Sequence, residues 1–426
     1  MNNFILEYYQ AIKDESIAVS EEIRLWYEYI VKGLNEKTFF FNQKKANKSI
    51  KFIENFCHHH EGELAPSLLK LELWQKAFIS VIFGIVDETD NRQFREVVLV
   101  VGRKNGKTLL ASAISEYMAF LDGEYGARIY FCAPKLEQAR LCYDAFYQMV
   151  IKEDELDSLA RKRRTDIYIE STNTTIQPLA FNSRKSDGLN PHLVVCDEFA
   201  AWQGDAGLKQ YEVLKSSLGA RKQPMIISIS TANYVEGVYD ELMMRCSSVL
   251  KGTSSEKRLA PFIYKIDDIT KWNDINELRK SMPNLSVSVS VDYMLEEIAI
   301  AESSLSKKAE FLTKYCNVKQ NSSIAWLDAD VVQRCSGDPL NLEDFKNCYA
   351  VMGIDLSRSV DLTCATLLIE KGGIIHTFAR FYLPKNKIVD ATMDQAKAAM
   401  DTDDKNVRED RWNTMIDHWH EKYLEE

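Results

Sequence analysis

The run 96-EVVLVV-101 is a short, β-branched apolar segment that passes straight into 102-GRKNGKT-108 and then into a helical pattern over 109–121. A buried strand, a glycine-containing turn and a helix, in that order, constrain the fold more than any other feature of the chain. The turn must bend sharply, and the helix after it points its first N–H groups back toward the strand's end. Such a junction belongs in an α/β sheet covered on both faces. The turn departs from the common phosphate-loop spacing, G-x-x-x-x-G-K-[ST]. Counted back from Gly106, the first glycine belongs where Val101 stands; it is at Gly102 instead, and the cationic pair Arg103–Lys104 fills the loop.

Further buried-type strands are expected at 128-RIYFC-132, 193-LVVCD-197 and 225-MIISIS-230. Helical patterns over 137–151, 207–218 and 237–249 separate them. This alternation predicts a mostly parallel sheet. The pair 166-DIYIE-170 and 174-TTIQPLA-180 reads as an antiparallel insertion. Ahead of the sheet, residues 3–33 have helical periodicity, a second helix covers 44–57, and a third starts near Trp74. Between 266 and 345 turn-formers and two helical patterns (291–303, 306–318) replace the strands. Three strand patterns then follow at 349–357, 361–370 and 373–383, with Gly372-Gly373 at one turn, as in an antiparallel meander. The division expected is an N-terminal helical segment (1–60), a domain built on the sheet with the phosphate-loop junction (61–265), a linker or small helical lobe (266–345) and the meander sheet (346–426).

The residue types at the strand ends carry chemistry. Backbone N–H groups of the turn at Asn105-Gly106 and the following helix N-terminus favour bound phosphates. Lys107 can reach the β- and γ-phosphates of such a ligand, and Thr108 can hold Mg²⁺ through its hydroxyl. Asp197 and Glu198 end a buried strand, where carboxylates are costly unless they work or are paired. Asp197 suits the Mg²⁺ shell and Glu198 the orientation of an attacking water. Parallel sheets bind ligands at the carboxyl ends of their strands, which brings 228-SISTAN-233 to the same crevice. Asn233 there could sense the γ-phosphate through water. In 73-LWQ-75, Trp74 and Gln75 could read adenine, because the Gln amide both donates and accepts. Asp355 in 353-GIDLS-357 opens the last sheet, where a carboxylate can hold nuclease metal ions; Asp361 is a second candidate ligand.

Composition narrows the partners. The 426-residue chain carries a net charge of -10, so it is no general nucleic-acid coat. A motor on DNA needs only a local basic surface, and 161-RKRR-164 is the candidate, with a solvated helix end as the bland alternative. Nine scattered cysteines without a C-x-x-C pair read as reduced thiols. No apolar run reaches the ~18 residues of a membrane span. The triple 58-HHH-60 lacks the spacing of a zinc site.

Together these residues resemble the large terminase subunit of tailed bacteriophages, from about 45 to about 390. In that family the loop often departs from the usual spacing and carries an arginine near its start, a role that falls to Arg103 on the nucleotide phosphates. The resemblance places the adenine motif at Trp74-Gln75, the metal and base acids at Asp197 and Glu198, and the coupling motif at Ser230-Thr231-Ala232-Asn233. The stretches 186-SDGLNPHLVVCDE-198 and 133-APKLEQAR-140 also match. The resemblance implies a ribonuclease H-like nuclease opening at Gly353-Ile354-Asp355, incomplete at its C-terminus. It implies ATP and Mg²⁺ as cofactors, with Mn²⁺ an alternative at the nuclease site. Implied partners are double-stranded DNA, a portal protein, a small terminase subunit and further copies in a ring, in the host bacterium's cytoplasm. Arg221 and Arg245 are candidates for an arginine donated to a neighbour. The competing readings are a helicase-like translocase and an inactive prophage remnant. A second motor domain would mark the helicase, but the Gly-Ile-Asp strand stands in its place.

Overall fold

The computed structural model describes residues 3–181, 188–234, 237–320, 340–355 and 363–382. The chain divides into two compact units, Met1–Asp328 and Ala329–Glu426.

A short antiparallel pair, β1 (Phe40–Phe41) and β2 (Ile85–Val86), precedes the main sheet of the first unit. That sheet contains β3 (Glu96–Val100), β4 (Arg128–Ala133), β5 (Ala160–Lys162), β6 (Ile167–Ile169), β7 (Thr174–Ala180), β8 (Leu193–Asp197), β9 (Met225–Ser230) and β10 (Leu259–Ile263). Their order is β10-β3-β9-β8-β4-β7-β6-β5. Neighbours from β10 to β7 are parallel, and β6 and β5 extend the sheet antiparallel. β3, β8, β9 and β10 are buried along their whole length, as strands between two helical layers must be. β9 lies between β3 and β8, with Ser230 opposite Val100 and Ile229 opposite Asp197. The ends of these three strands are therefore level at one edge.

The mostly parallel sheet agrees with the alternating pattern, with three corrections. β6 and β7 pair antiparallel as expected, but β7 also pairs parallel with β4, so it belongs to the sheet rather than to an insertion. The basic run at 161–164 is not a helix end: Arg161 and Lys162 form the edge strand β5, and the run continues into a turn. β10 was hidden by Pro261, which lacks an N–H for a ladder and is tolerated because β10 is the opposite edge.

The periodic run over 3–33 is two helices, Phe4–Lys13 and Glu21–Glu36. Ser20 ends the gap: its Oγ accepts from the Ile23 N–H and donates to the Ile263 carbonyl at the end of β10. Trp26 packs edge-on against Phe94 and Phe262, so these helices share the sheet's core. Residues 266–318 form a helical lobe with its own core around Trp272, Leu278, Met294 and Phe311. Its helices Val291–Glu302 and Leu305–Lys314 start at Ser290 and Ser304, whose hydroxyls cap them.

In the second unit β11 (Ala350–Asp355), β12 (Thr363–Lys371) and β13 (Ile374–Tyr382) form the expected meander, in the order β11-β12-β13. Gly372 and Gly373 both take positive φ at its second turn, a conformation that costs glycine nothing. Among the described residues no helix is long and apolar enough to cross a membrane.

Candidate nucleotide site

β3 runs into the loop at residues 101–106, and the helix Lys107–Phe120 begins at once. Gly106 caps that helix at φ +75, and Lys104 is also left-handed at φ +68. A non-glycine residue pays about 1 kcal/mol for this conformation, so surrounding contacts must hold it. They do. The buried Asn105 donates its amide to the Gly102 and Arg103 carbonyls (2.9 and 3.2 Å), and its Oδ1 accepts the Asn284 N–H at 2.8 Å. Ser288 Oγ donates to the Lys104 carbonyl at 2.7 Å.

The displaced glycine has a structural reason. The Gly102 N–H donates to the Ser281 carbonyl, and the Arg103 N–H to the Lys314 carbonyl. A Cβ at position 102 would lie 2.9 Å from the Tyr315 carbonyl oxygen and 2.8 Å from Met282 Cγ. Glycine therefore stands where the helical lobe's backbone presses on the loop, one residue later than the usual spacing.

Lys107 is buried, and its Nζ lies 3.9 Å from Glu198 Oε1. Desolvation lowers its pKa, and the Glu198 and Asp197 charges oppose that shift. Glu198 follows β8 in a left-handed conformation (φ 46, ψ 47) that turns its carboxylate toward Lys107. Ser230 Oγ donates to Glu198 Oε2 at 3.1 Å and accepts the Ala200 N–H at 3.3 Å. Asn233 donates to the Ala200 carbonyl at 2.9 Å, and its Oδ1 accepts the Tyr234 N–H. The end of β9 thus holds the turn that presents Glu198. Arg103, Glu198, Thr231, Asn233 and Lys314 line one cleft of about 170 Å³. Thr108 sits in the first turn of the loop's helix.

Asp197 is buried beside them. Cys142 Sγ donates to its Oδ2 at 3.3 Å, the Glu198 N–H donates to its Oδ1, and Trp202 Nε1 donates to its carbonyl. Burial, with the Glu198 charge next, pushes the carboxyl up to about 6 from an ordinary 3.8. Between those values the folded protein holds a proton that the unfolded chain has released. This group's stability contribution is therefore full below about pH 4 and is lost as pH rises through 6. Asp197→Asn removes the charged form. It should stabilise the nucleotide-free protein by ~1–3 kcal/mol at pH 7 and hardly at all at pH 4. Thermal melts at both pH values measure this, and an equal effect at the two would reject the strained carboxyl.

The sequence-derived residues are thus placed unevenly. The loop, Asp197, Glu198 and Asn233 come together. Trp74 and Gln75 start the helix Leu73–Gly84, and both are committed to protein partners. Trp74 Nε1 donates to Asn284 Oδ1 at 2.7 Å, and Asn284 Nδ2 donates to the Asn105 carbonyl, so this indole braces the loop from behind. Gln75 Oε1 accepts the Glu72 N–H at 2.9 Å. Arg221 and Arg245 are not free for a neighbour: Arg221 pairs with Glu124, and Arg245 with Glu96 and Glu256. Asp355 ends β11 opposite Cys364 and is exposed, while Asp361 lies outside the described residues. Among the described residues no three His, Cys, Asp or Glu side chains gather closely enough to hold a metal ion. Sequence reasoning missed Cys142, Asn284 and Asn317, whose Oδ1 accepts the Ala232 N–H. Nothing local marks them, since each works across a long chain separation.

Two family models match the chain: "Terminase large subunit, ATPase domain" over residues 73–246 and "Terminase large subunit, endonuclease domain" over 258–421. The second match includes β10 and the helical lobe as well as the meander. The chain is 29% identical to protein YmfN of Escherichia coli (strain K12) over 211 residues, 48% of this chain and 46% of that protein. It is 23% identical to the terminase large subunit of Enterobacteria phage HK97 over 356 residues, 82% of this chain and 67% of that protein. It is 22% identical to the terminase large subunit of Lactococcus phage SK1, covering 87% of this chain and 68% of that one. These matches thus span between about half and two thirds of the relatives' lengths. The crystal structure of the HK97 large terminase shares the fold at a TM-score of 0.55 and 20% identity, covering 82% of this chain and 70% of that one.

Proposed function

Because the chain belongs to the terminase large subunit family, with its ATPase and endonuclease domains, we propose that it is the ATP-hydrolysing motor that drives double-stranded DNA into a procapsid and cuts it. The observation that carries the ATPase half is the meeting of Lys107 and Glu198 at 3.9 Å, beside the buried Asp197. The Lys107 ammonium is desolvated with the Glu198 and Asp197 acids beside it, and the Asp197 carboxyl is held above its ordinary range; a metal-bound triphosphate would bring charge of both signs to this pair. Bound Mg²⁺ would neutralise charge that develops on the phosphates, with Thr108 and Asp197 as the residues to hold it. Lys107 and Arg103 would bind the phosphates. Glu198, aimed by Ser230, would orient the water and accept its proton. Asn233 and Asn317 tie the turn after Glu198 to the lobe.

A cavity of about 360 Å³ lined by Tyr8, Glu72, Trp74, Arg279 and Pro283 suits the base. Gln75 is buried next to the lining residue Trp74 rather than in the lining itself; with its Oε1 accepting the Glu72 N–H, its amide N–H₂ is the group that would read adenine. For the nuclease, support comes from the endonuclease-domain match and from Asp355 at the end of β11. Asp355 would hold Mg²⁺ or Mn²⁺ with carboxylates from beyond the described residues, Asp361 among the candidates. The domain limits proposed remain 1–60, 61–265, 266–345 and 346–426. A portal protein, a small subunit and a ring of copies in the host cytoplasm complete this reading.

The test is Mg²⁺-dependent ATP hydrolysis with and without linear duplex, alongside plasmid cleavage in Mn²⁺. Duplex should raise turnover, and Asp355→Ala should abolish cleavage while leaving ATPase intact. No hydrolysis under any condition would favour an inactive remnant, and equal cleavage by Asp355→Ala would move the nuclease elsewhere.

A further inference from the structure

The basic run at 161–164 is not absorbed by the nucleotide site. It leaves the edge strand β5, and its residues 162–164 line a groove of about 310 Å³ with Arg140 and Tyr143 of the helix Leu136–Val150 and with Pro178 of β7. Because β5 runs parallel to β7 through β6, the turn after Lys162 lies toward the carboxyl ends of the parallel strands. Through the strand registers Lys162 lies level with Leu193 at the start of β8 and Pro178 level with Val195, so the groove flanks the sheet's outer strands short of Asp197. β5 and β8 are four strand positions apart, roughly 19 Å at ordinary sheet spacing.

The groove's charges are unequally committed. Arg163 is spent: its Nε and Nη2 donate to Asp166 at 2.6 and 2.7 Å. Arg140, Lys162 and Arg164 are exposed, and none has an ion-pair partner among the described residues. Asp144 is the acid that also lines the groove, and the acidic helix Asp154–Leu159 stands before β5. On a chain of net charge -10, three exposed cations without ion-pair partners along a concave surface suit a polyanion.

The aromatic rings narrow the choice. Lys162 Nζ sits 3.8 Å from the Tyr147 ring centroid, and the Arg163 guanidinium 4.5 Å from that of Tyr168. Tyr143 is buried. A single-strand binder displays such rings for base stacking. Here cations or protein cover them, which leaves guanidinium and ammonium groups suited to phosphates.

Resting on the motor reading above, we propose that this groove grips the phosphate backbone of duplex DNA without regard to sequence, through Arg140, Lys162 and Arg164. The grip is then on the outer strands of the same sheet whose central strands carry the nucleotide site.

The experiment compares the full chain with Arg140→Ala/Lys162→Ala/Arg164→Ala. A charge-matched control, Lys44→Ala/Lys51→Ala/Lys70→Ala, removes exposed lysines elsewhere. Anisotropy of a fluorescent 30-base-pair duplex is titrated at several KCl concentrations, and basal ATPase is measured without DNA. The groove variant should lose about ten-fold or more in affinity, and its log Kd against log salt slope should fall by about 2 to 3. Its basal ATPase should match wild type, which shows that the fold and nucleotide site survive. The control should lose less than the groove variant. Unchanged affinity and slope in the groove variant would overturn the proposal, as would an equal loss in the control or tighter binding of single strands than of duplex. Wild type that hydrolyses ATP but binds no duplex would also overturn it and leave the ATPase standing. Wild type without hydrolysis would remove the motor reading itself.

Discussion

Glu198→Gln should bind ATP as wild type does and turn it over roughly 10²- to 10⁴-fold more slowly. Glutamine keeps the shape of glutamate and can still accept the Ser230 Oγ–H bond made at 3.1 Å. What it loses is the ability to accept a proton from water. It also removes the negative partner 3.9 Å from Lys107, but bound phosphates would supply that charge more strongly. Binding and turnover should therefore separate cleanly, which a merely structural role for Glu198 would not produce. A fluorescent ATP analogue reports binding, and phosphate release reports turnover. Unchanged turnover would reject Glu198 as the base.

Lys107→Ala should do the opposite and remove binding first. The Lys107 ammonium is buried, its pKa is lowered by desolvation, and Glu198 with Asp197 supplies its counter-charge. An anion entering this cleft meets a cation that has already lost its water, so the contact is worth more than at a surface. Truncation also leaves Asp197 and Glu198 without that cation, so their charges repel incoming phosphates. A loss of about 100-fold in affinity for magnesium-bound ATPγS, equivalent to about 3 kcal/mol, is expected by calorimetry. Wild-type affinity in this variant would mean that the loop is only a basic surface turn.

The strand–turn–helix of the loop was legible because its signals are local: a β-branched run, a glycine at a left-handed position and a helical pattern. Asp197 and Glu198 were legible because acids at the end of a buried strand are costly. Gly102 was visible but its reason was not, since the carbonyls that crowd it come from Ser281 and Tyr315. Trp74 was found for its identity and placed by the structure behind the loop, bonded to Asn284. Cys142, Asn284 and Asn317 left no trace in local pattern, because their partners lie far along the chain and are set by packing. β5 and β10 were missed because edge strands need neither full burial nor a complete set of N–H donors, so Arg161, Lys162 and Pro261 do not read as strand.

A crystal structure of the chain with Mg²⁺ and ATPγS tests the central claim most directly. The terminal phosphates should lie between Lys107 and Arg103, with the metal shared by Thr108 and Asp197 and Glu198 facing the γ-phosphate. Nucleotide bound elsewhere, or phosphates out of reach of the Lys107 amine and the Asp197 carboxylate, would contradict it.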